Sequence, residues 1–292
     1  AGLPLQFILR DSSGACINRR DRKTTGPDHL AHKQLLVSRG WHPWGMRTAL
    51  ITDLHANRQA LEAVLEHADA RGARQFVFLG DLVGYGAEPA WVLDCVMARV
   101  AQGALAVLGN HDEAVLQGGS STMREDARQV LAWTHAQLSA EQLGFLAQLP
   151  LSARQGDCLF VHANAYDPAG WDYLQGRMEA LRSLHATEAR YTFCGHMHEP
   201  ALYHLSATGK AGEFRPVAGV TIPLASHRQW LAIPGSCGQP RDGNPAACYA
   251  LFDAEQSLLS FERVPYDVET AAARIRAAGL PERLAERLLV GQ

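Results

Sequence analysis

Acidic, amide and imidazole side chains follow five short apolar segments of this sequence, each at the point where the segment ends. The first segment, 48–52, leads directly to Asp53 and His55. After the other four segments come, in chain order, Asp81, the run Asn110, His111 and Asp112, then His162, and finally His196 and His198. Carboxylate and amide oxygens and imidazole nitrogens are common metal ligands in proteins. Packing gives no reason for polar groups at all five ends, so the pattern predicts a metal site.

Seven of these side chains are candidate metal ligands: Asp53, His55, Asp81, Asn110, His162, His196 and His198. That number exceeds the four ligands of a tetrahedral zinc site, and the mixture of oxygen and nitrogen donors suits two divalent ions that share one carboxylate. Taken singly, each residue has a plainer explanation. Asp53 or Asp81 could cap a helix or lie in a turn, and His162 could be a hydrogen-bonded core histidine.

Strands and helices alternate along the part of the chain that carries these residues. Apolar runs predict strands over 47–52, 74–79 and 104–108, with helices over 57–70 and 89–100 between them. The remaining predicted elements are helices over 124–137, 139–148, 267–278 and 281–290 and strands over 158–161, 190–194, 201–205, 229–233 and 247–252. This order predicts a mixed α/β fold built on packed sheets, in which ligands bind outside the carboxyl ends of the strands.

Residues 1–45 differ from the rest of the chain. They carry a net charge of +4, against −7 for residues 46–292, and they show no sustained strand or helix period. We expect 1–45 to be a non-native or disordered N-terminal extension and 46–292 to form a single domain. A mitochondrial-type presequence is the alternative, but the three aspartates of residues 1–45 and the lack of an amphipathic pattern there count against it.

Composition excludes several classes of protein. Hydrophobic residues make up 47% and charged residues 20%, which is typical of a globular chain with a full core. The net charge is −3 without a basic, aromatic-interleaved stripe, so a nucleic-acid partner is not expected. Apolar runs fall short of the roughly 18 residues that a membrane span needs. The six cysteines form no CxxC pair, so neither a zinc ribbon nor a thioredoxin-like redox site is indicated. Several of them lie in apolar stretches, as buried free thiols do, which favours a reducing, cytoplasmic setting.

The segments that end in polar residues resemble the five sequence blocks of the calcineurin-like metallophosphoesterases. In chain order they begin at Asp53, Gly80, Gly109, Val161 and Gly195. Within that superfamily, residues 234–243 are similar to the small bacterial and archaeal phosphoesterase branch, which is itself similar to diadenosine tetraphosphatases and serine/threonine phosphatases. This sequence departs from the pattern at Ala56, where glycine is usual, and at Asn164, where a small residue is common. Neither departure removes a candidate ligand.

The resemblance implies a fold and a metal centre. The fold would be α/β (α+β), a four-layer α-β-β-α sandwich with the site at the C-terminal ends of the strands. One ion would be held by Asp53, His55 and His198 and a second by Asn110, His162 and His196, with Asp81 bridging the two. The cofactors would be two divalent ions, Mn, Fe, Zn or Ni, with Mn favoured. A metal-bridging hydroxide would attack phosphorus in line.

The resemblance also implies roles for three residues that bind no metal. His111 would stabilise the developing charge or protonate the leaving oxygen. Asp112 would fix the tautomer and orientation of His111. Arg241 would contact a substrate phosphate, because a guanidinium matches phosphate oxygens. A hydrogen bond from Arg241 to loop backbone is an equally good explanation of its position.

These residues favour a phosphatase or phosphodiesterase that acts on a small-molecule or other phosphoester substrate. Within the same class, the alternatives are a dinucleoside polyphosphate hydrolase and a phosphoprotein phosphatase. From a different class, the alternative is a non-catalytic scaffold on the same fold, although scaffolds of this kind typically lose the histidine of the third block or several ligands. A nuclease is disfavoured by the lack of a basic stripe.

Overall fold

The computed structural model describes residues 34–36, 47–118 and 125–292, the first of these as backbone alone. Within these ranges the chain forms thirteen strands and eight helices. The strands are β1 (Gln34–Leu36), β2 (Arg47–Ile51), β3 (Ala73–Phe78), β4 (Leu105–Ala106), β5 (Ser152–Gln155), β6 (Cys158–Val161), β7 (Tyr191–Phe193), β8 (Ala201–Ser206), β9 (Ala211–Phe214), β10 (Thr221–Pro223), β11 (Arg228–Ile233), β12 (Ala247–Asp253) and β13 (Leu258–Val264). The helices are α1 (Arg58–Ala70), α2 (Pro89–Ala101), α3 (Asn110–Gln117), α4 (Glu125–Ala136), α5 (Ala140–Gln148), α6 (Arg177–His185), α7 (Val268–Ala277) and α8 (Glu282–Val290).

The strands are divided between two sheets. The first sheet has the order β1-β5-β6-β7-β11-β8-β9, and the second has the order β10-β13-β12-β2-β3-β4. In the second sheet β2, β3 and β4 are parallel, and in the first β6, β7 and β11 are parallel. The carboxyl ends of each parallel group meet at one edge of its sheet, which is where α/β proteins bind their ligands.

Side chains of β2 enter two different cores. Ala49 and Ile51 pack with the core-facing residues of α1 and α2. Leu50, which lies between them, packs with Phe160 and Phe193 of the other sheet. This alternation follows from the strand geometry, because successive side chains point to opposite faces. Each fully buried Leu or Phe contributes about 1.5–3 kcal/mol, so both faces of the strand stabilise the fold.

The two sheets pack face to face between outer layers of helices. One outer layer includes α1 and α2, and the other includes α6, whose Ala180 and Leu184 pack with Leu231 of β11. The arrangement is the four-layer α-β-β-α sandwich that the resemblance implies, and it confirms the mixed α/β fold on packed sheets predicted from the order of elements. A further cluster joins α7 and α8 to α4 through residues such as Ile275, Leu284 and Val130.

The sequence pattern does not predict where helix α3 starts. It begins at Asn110, only a few residues after the short strand β4. Gly109 is the residue before its first turn, and the Asp112 carboxylate accepts the Gly109 N–H at 3.0 Å. Such a bond satisfies one of the free donors at a helix start. Asn110 and His111 therefore lie in the first turn of a helix rather than in a loop.

Helix α6 and the strands β1, β5, β9, β10 and β13 are likewise not predicted. Buried polar residues interrupt the apolar pattern of β13. The Ser260 hydroxyl donates to the Glu262 carboxylate at 2.8 Å, and Arg71 contacts the same carboxylate at 3.2 Å. These contacts satisfy the polar side chains, so the strand can bury them. The strand therefore lacks the regular alternation of apolar and polar residues by which a strand is recognised in a sequence.

The predicted extension over 1–45 lies outside the described residues, except for β1, which pairs in parallel with β5. That division of the chain stays a prediction. Among the described ranges, no helix combines the length and the apolarity needed to cross a bilayer.

Candidate metal centre

Turns that follow β2, β3 and β7 carry five of the seven predicted ligands. Beyond the paired ends of β2 and β3, the Asp53 N–H donates to the Gly80 carbonyl at 3.1 Å and the His55 N–H to the Asp81 carbonyl at 3.0 Å. The five ligands have left-handed backbone, with φ of 52° at Asp53, 47° at His55, 51° at Asp81, 68° at His196 and 61° at His198. This conformation costs a non-glycine residue about 1–3 kcal/mol and persists where surrounding contacts hold it. Its concentration at these turns is typical of a functional site.

Asp53, His55, Asp81 and His198 form the first of two clusters. All four side chains are buried, and one potential ligand atom from each lies within 4.8 Å of the others. The Nε2 atoms of His55 and His198 are 3.1 Å apart. Carboxylate oxygens lie close to both rings, with Asp53 Oδ1 at 3.3 Å from His198 Nε2 and Asp81 Oδ2 at 3.6 Å from His55 Nε2.

Hydrogen bonds on the far side of both rings determine which nitrogen faces the first cluster. His55 Nδ1 lies 3.3 Å from the Val83 carbonyl oxygen, and His198 Nδ1 lies 2.6 Å from the Gln239 carbonyl oxygen. A carbonyl only accepts, so Nδ1 carries the proton in both rings. The two Nε2 lone pairs then face each other and repel. A cation bound by both nitrogens would remove this repulsion.

Asp81, His162 and His196 form the second cluster, so Asp81 belongs to both. His162 Nδ1 donates to the Leu79 carbonyl at 2.7 Å. Its Nε2 lies 3.1 Å from Asn110 Oδ1 and 3.4 Å from Asp81 Oδ2. His196 Nε2 donates to a backbone carbonyl at 2.9 Å, which leaves its Nδ1 free to bind an ion. The amide oxygen of Asn110 thus joins this cluster as a further oxygen donor.

Burial and mutual charge together set the protonation of the centre. Burial raises the pKa of Asp81, but the His162 ring and its neighbours bring that pKa well below its usual range. Asp53 shows the same balance, with His198 lowering a pKa that burial alone would raise. Burial lowers the pKa of His162, yet the Asp81 carboxylate raises it to about 9. Both carboxylates are therefore charged, and their field favours a cation at this position.

The residues present fit a pair of divalent ions. The structure brings all seven predicted ligands together as two sets that share Asp81. Charged carboxylates, an amide oxygen and inward-facing imidazole nitrogens are donors suited to Mn, Fe, Zn or Ni. The backbone carbonyls behind the rings provide the outer hydrogen bonds that orient histidine ligands.

The His111 ring lies at the edge of the first cluster. Its centroid is 5.0 Å from that of His55 and 4.4 Å from that of Tyr85. The His111 backbone N–H donates to Asp81 Oδ1 at 2.8 Å, which fixes where the ring leaves the chain. Burial lowers the pKa of His111, so the ring is neutral near pH 7 and keeps one N–H donor.

Asp112 differs from the expectation that it orients the His111 ring. Its carboxylate accepts the N–H of Val83 at 3.1 Å and that of Gly109 at 3.0 Å. Among the described residues, no hydrogen bond joins it to the His111 imidazole. Burial, and then the charge of Asp81, raises the pKa of Asp112 to about 7. As the third residue of α3, Asp112 folds back onto the helix start, and it positions the backbone of His111 rather than its ring.

Arg241 lies beside the centre with its guanidinium engaged by other side chains. Nη2 donates to Gln239 Oε1 at 2.9 Å, and the guanidinium carbon is 5.7 Å from the centroid of the Tyr85 ring. The same Tyr85 ring contacts His111. The loop-stabilising hydrogen bond expected of Arg241 forms with a side chain rather than with backbone, and its contact with a substrate phosphate stays a prediction.

Carbonyl groups and aromatic rings complete the centre without a clear sequence signature. Any residue supplies a carbonyl, so the partners of the ligand histidines at Leu79, Val83 and Gln239 could not be found from residue type. Two aromatic residues in the loop after β6 also contact the centre. Tyr173 stacks on His196 with ring centroids 4.1 Å apart and an interplanar angle of 14°, and the Trp171 carbonyl accepts the His196 Nε2 proton.

Gly195→Ala is expected to destabilise the protein, because there is no space for a methyl group beside the metal centre. A Cβ at Gly195 would lie 1.8 Å from Thr52 Oγ1 and 2.7 Å from Asp53 Oδ2. We expect a loss of about 1–3 kcal/mol in the free energy of unfolding, measured by urea denaturation. The matched control is Gly144→Ala in α5, where a Cβ meets nothing within 4 Å and a gain of about 0.5–1 kcal/mol is expected. Equal effects of the two substitutions would contradict this packing.

Comparisons with known proteins identify the family of this chain. The model of the calcineurin-like phosphoesterase superfamily domain matches residues 46–257. An uncharacterized protein of Methanocaldococcus jannaschii is 34% identical over 250 residues, which cover 84% of this chain and 98% of the relative. A metallophosphoesterase from Sphaerobacter thermophilus has a crystal structure similar to this one, with a TM-score of 0.74 and 36% identity over 85% of this chain and 99% of that chain. A hypothetical protein from Pyrococcus horikoshii shares the fold, with a TM-score of 0.67 and 20% identity over 84% of this chain and 98% of that chain. The chain therefore belongs to the calcineurin-like phosphoesterase superfamily.

Proposed function

We propose that this protein is a dinuclear metal-dependent phosphoester hydrolase, a phosphatase or phosphodiesterase. The observation that carries the proposal is the position of Asp81, whose carboxylate belongs to both clusters of potential ligand atoms. A carboxylate shared in this way suits two ions about 3.5–4 Å apart, the spacing at which a metal pair clamps a phosphoryl group. Membership of the superfamily supports the phosphoester substrate.

When bound, the two ions supply Lewis-acid activation of a phosphoryl oxygen and a hydroxide for in-line attack on phosphorus. Asp53, His55 and His198 would hold one ion. Asn110, His162 and His196 would hold the other, with Asp81 contributing to both. We favour Mn among the metals that this donor set suits.

His111 would act on the leaving group. Its ring lies beside the first cluster, and its neutral imidazole keeps an N–H donor. That donor can form a hydrogen bond to the leaving oxygen and stabilise the developing charge, whereas transfer of a proton would need the protonated ring. Arg241, whose guanidinium lies next to the Tyr85 ring, would bind a further phosphate oxygen of a small phosphoester. We place the reaction in the cytoplasm, since the cysteines of the described residues are free.

A metal-reconstituted assay tests the proposal. Protein loaded with Mn²⁺ is offered p-nitrophenyl phosphate, bis-p-nitrophenyl phosphate, a phosphopeptide and diadenosine tetraphosphate. We expect turnover of at least one aryl ester, its loss in excess chelator, and its return when Mn²⁺ is restored, because the ions supply the nucleophile. The phosphopeptide and diadenosine tetraphosphate separate the two alternative hydrolases. Metal binding without turnover of any of the four would contradict catalysis and support a scaffold.

A further inference from the structure

The loop between β6 and α6 has its own internal support. Asn164, two residues after His162, is buried, and its Nδ2 donates to the Asp172 carbonyl at 3.1 Å. Its Oδ1 accepts the Asp167 N–H at 2.8 Å. These two bonds connect the start of the loop to its later part. One of them fixes the backbone of Asp172, which directly follows Trp171 in the chain.

Trp171 contacts the helix that carries Asn110 and the rings of His162 and His196. These are the ligands of the second set other than the shared Asp81. Its indole Nε1 donates to Glu113 Oε2 at 2.9 Å, and Glu113 lies in the first turn of α3 beside Asn110. Its ring meets the His162 ring edge-on, with centroids 5.8 Å apart and an interplanar angle of 67°. Its carbonyl accepts the proton of His196 Nε2 at 2.9 Å.

The backbone of Trp171 is strained where these contacts converge. Its φ is 54°, a left-handed conformation that a large side chain rarely adopts. Such strain persists only where the surrounding structure over-determines the residue. The indole hydrogen bond on one side and the carbonyl hydrogen bond on the other supply that constraint.

We propose that Trp171, anchored by Glu113, is the positioning residue of the second metal position, the one formed by Asn110, His162 and His196. This inference rests on the proposed dinuclear function, which it deepens. The indole hydrogen bond ties α3, and with it Asn110, to the loop whose carbonyl sets the tautomer of His196. Loss of that bond would therefore remove a constraint on the positions of both Asn110 and His196.

The first metal position is supported by different groups. The His55 and His198 rings donate to the carbonyls of Val83 and Gln239, which lie in other loops. Among the described residues, no hydrogen bond or ring contact joins Trp171 to Asp53, His55 or His198. Loss of the indole hydrogen bond should therefore weaken one ion and spare the other, a pattern that general destabilisation would not produce.

Trp171→Phe tests the inference, because it keeps an aromatic ring and the backbone carbonyl but removes the indole N–H. Stepwise Mn²⁺ affinities are measured by titration calorimetry of the full chain, and the occupancy of each position is measured by anomalous scattering at limiting Mn²⁺. Removing an outer-shell partner of a metal ligand typically costs about 10–100-fold in affinity. We expect a loss of about 10-fold at the second position and less than about threefold at the first.

Glu113 variants and a distant tryptophan supply the controls. Glu113→Ala should reproduce the effect of Trp171→Phe, whereas Glu113→Gln keeps an oxygen acceptor and should restore most of the affinity. The double variant Trp171→Phe/Glu113→Ala should be no worse than either single variant, since both remove the same bond. Trp230→Phe removes an indole hydrogen bond of similar length, 3.1 Å to the Ala225 carbonyl, within the core between the sheets. It should leave both affinities unchanged.

Two results would overturn the inference and distinguish it from the proposed function. If the wild-type protein binds two ions and Trp171→Phe binds both with unchanged affinity, or loses both equally, Trp171 does not position the second site. If the wild-type protein binds a single ion, the dinuclear proposal fails and this inference fails with it.

Discussion

Asp81→Ala is expected to abolish metal binding and phosphoester hydrolysis together. The Asp81 carboxylate belongs to both ligand clusters, and it lies 3.6 Å from His55 Nε2 and 3.4 Å from His162 Nε2. Its removal takes away the negative charge common to the two positions. The rate should fall by more than the roughly 10²–10⁴-fold that one acid–base group contributes. Metal content by mass spectrometry and aryl-ester turnover are the two measurements.

The control for Asp81→Ala is Asp69→Ala in α1. The Asp69 side chain is 49% exposed and pairs with Arg99, so its loss should cost at most about 1 kcal/mol and no bound metal. Asp81→Asn separates charge from shape, because its amide oxygen can still accept the His111 N–H. An Asp81→Ala protein that retains two ions and measurable turnover would show that the two clusters do not depend on a shared carboxylate.

His111→Ala is expected to separate catalysis from metal binding. The ring lies next to His55 and Tyr85 but belongs to neither cluster of potential ligands. The variant should therefore keep both ions and lose about 10²–10⁴-fold in turnover, the usual size of a general acid–base contribution. The backbone N–H that reaches Asp81 remains in place, so the geometry of Asp81 is preserved.

His185→Ala is the matched control for His111→Ala, because His185 is an exposed histidine at the end of α6. It should change neither metal content nor turnover. A further comparison uses a substrate with a better leaving group, such as a dinitrophenyl ester, whose leaving oxygen needs less stabilisation of its developing charge. The His111→Ala defect should shrink with that substrate. Loss of the ions from His111→Ala would instead make His111 a metal ligand.

The ligands could be predicted from the sequence because strand geometry connects local pattern to position. An apolar run such as 48–52 predicts a buried strand, and the residue after it must emerge at the carboxyl end of the sheet. The four-layer order was implied by the family resemblance, and the structure explains it, since Ala49, Leu50 and Ile51 divide their side chains between two cores. The resemblance then added the division of the ligands between two ions.

Other features of the site depend on contacts that residue type does not encode. Asp112 was expected to hold a ring, but as the third residue of α3 its carboxylate folds back to the Gly109 N–H. That outcome required knowledge of helix α3, whose start the sequence pattern left unrecognised. The tautomers of His55 and His198 depend on backbone carbonyls, which every residue possesses. The role inferred for Trp171 arises from a hydrogen bond to Glu113, 58 positions earlier in the chain.

Diffraction from crystals of the Mn²⁺-loaded protein, recorded near the manganese absorption edge, would locate the two proposed ions. We expect two anomalous peaks about 3.5–4 Å apart, with the Asp81 carboxylate between them. One peak should lie among Asp53, His55 and His198, and the other among Asn110, His162 and His196. A single peak, or two peaks that do not share Asp81, would rule out a dinuclear centre bridged by this carboxylate.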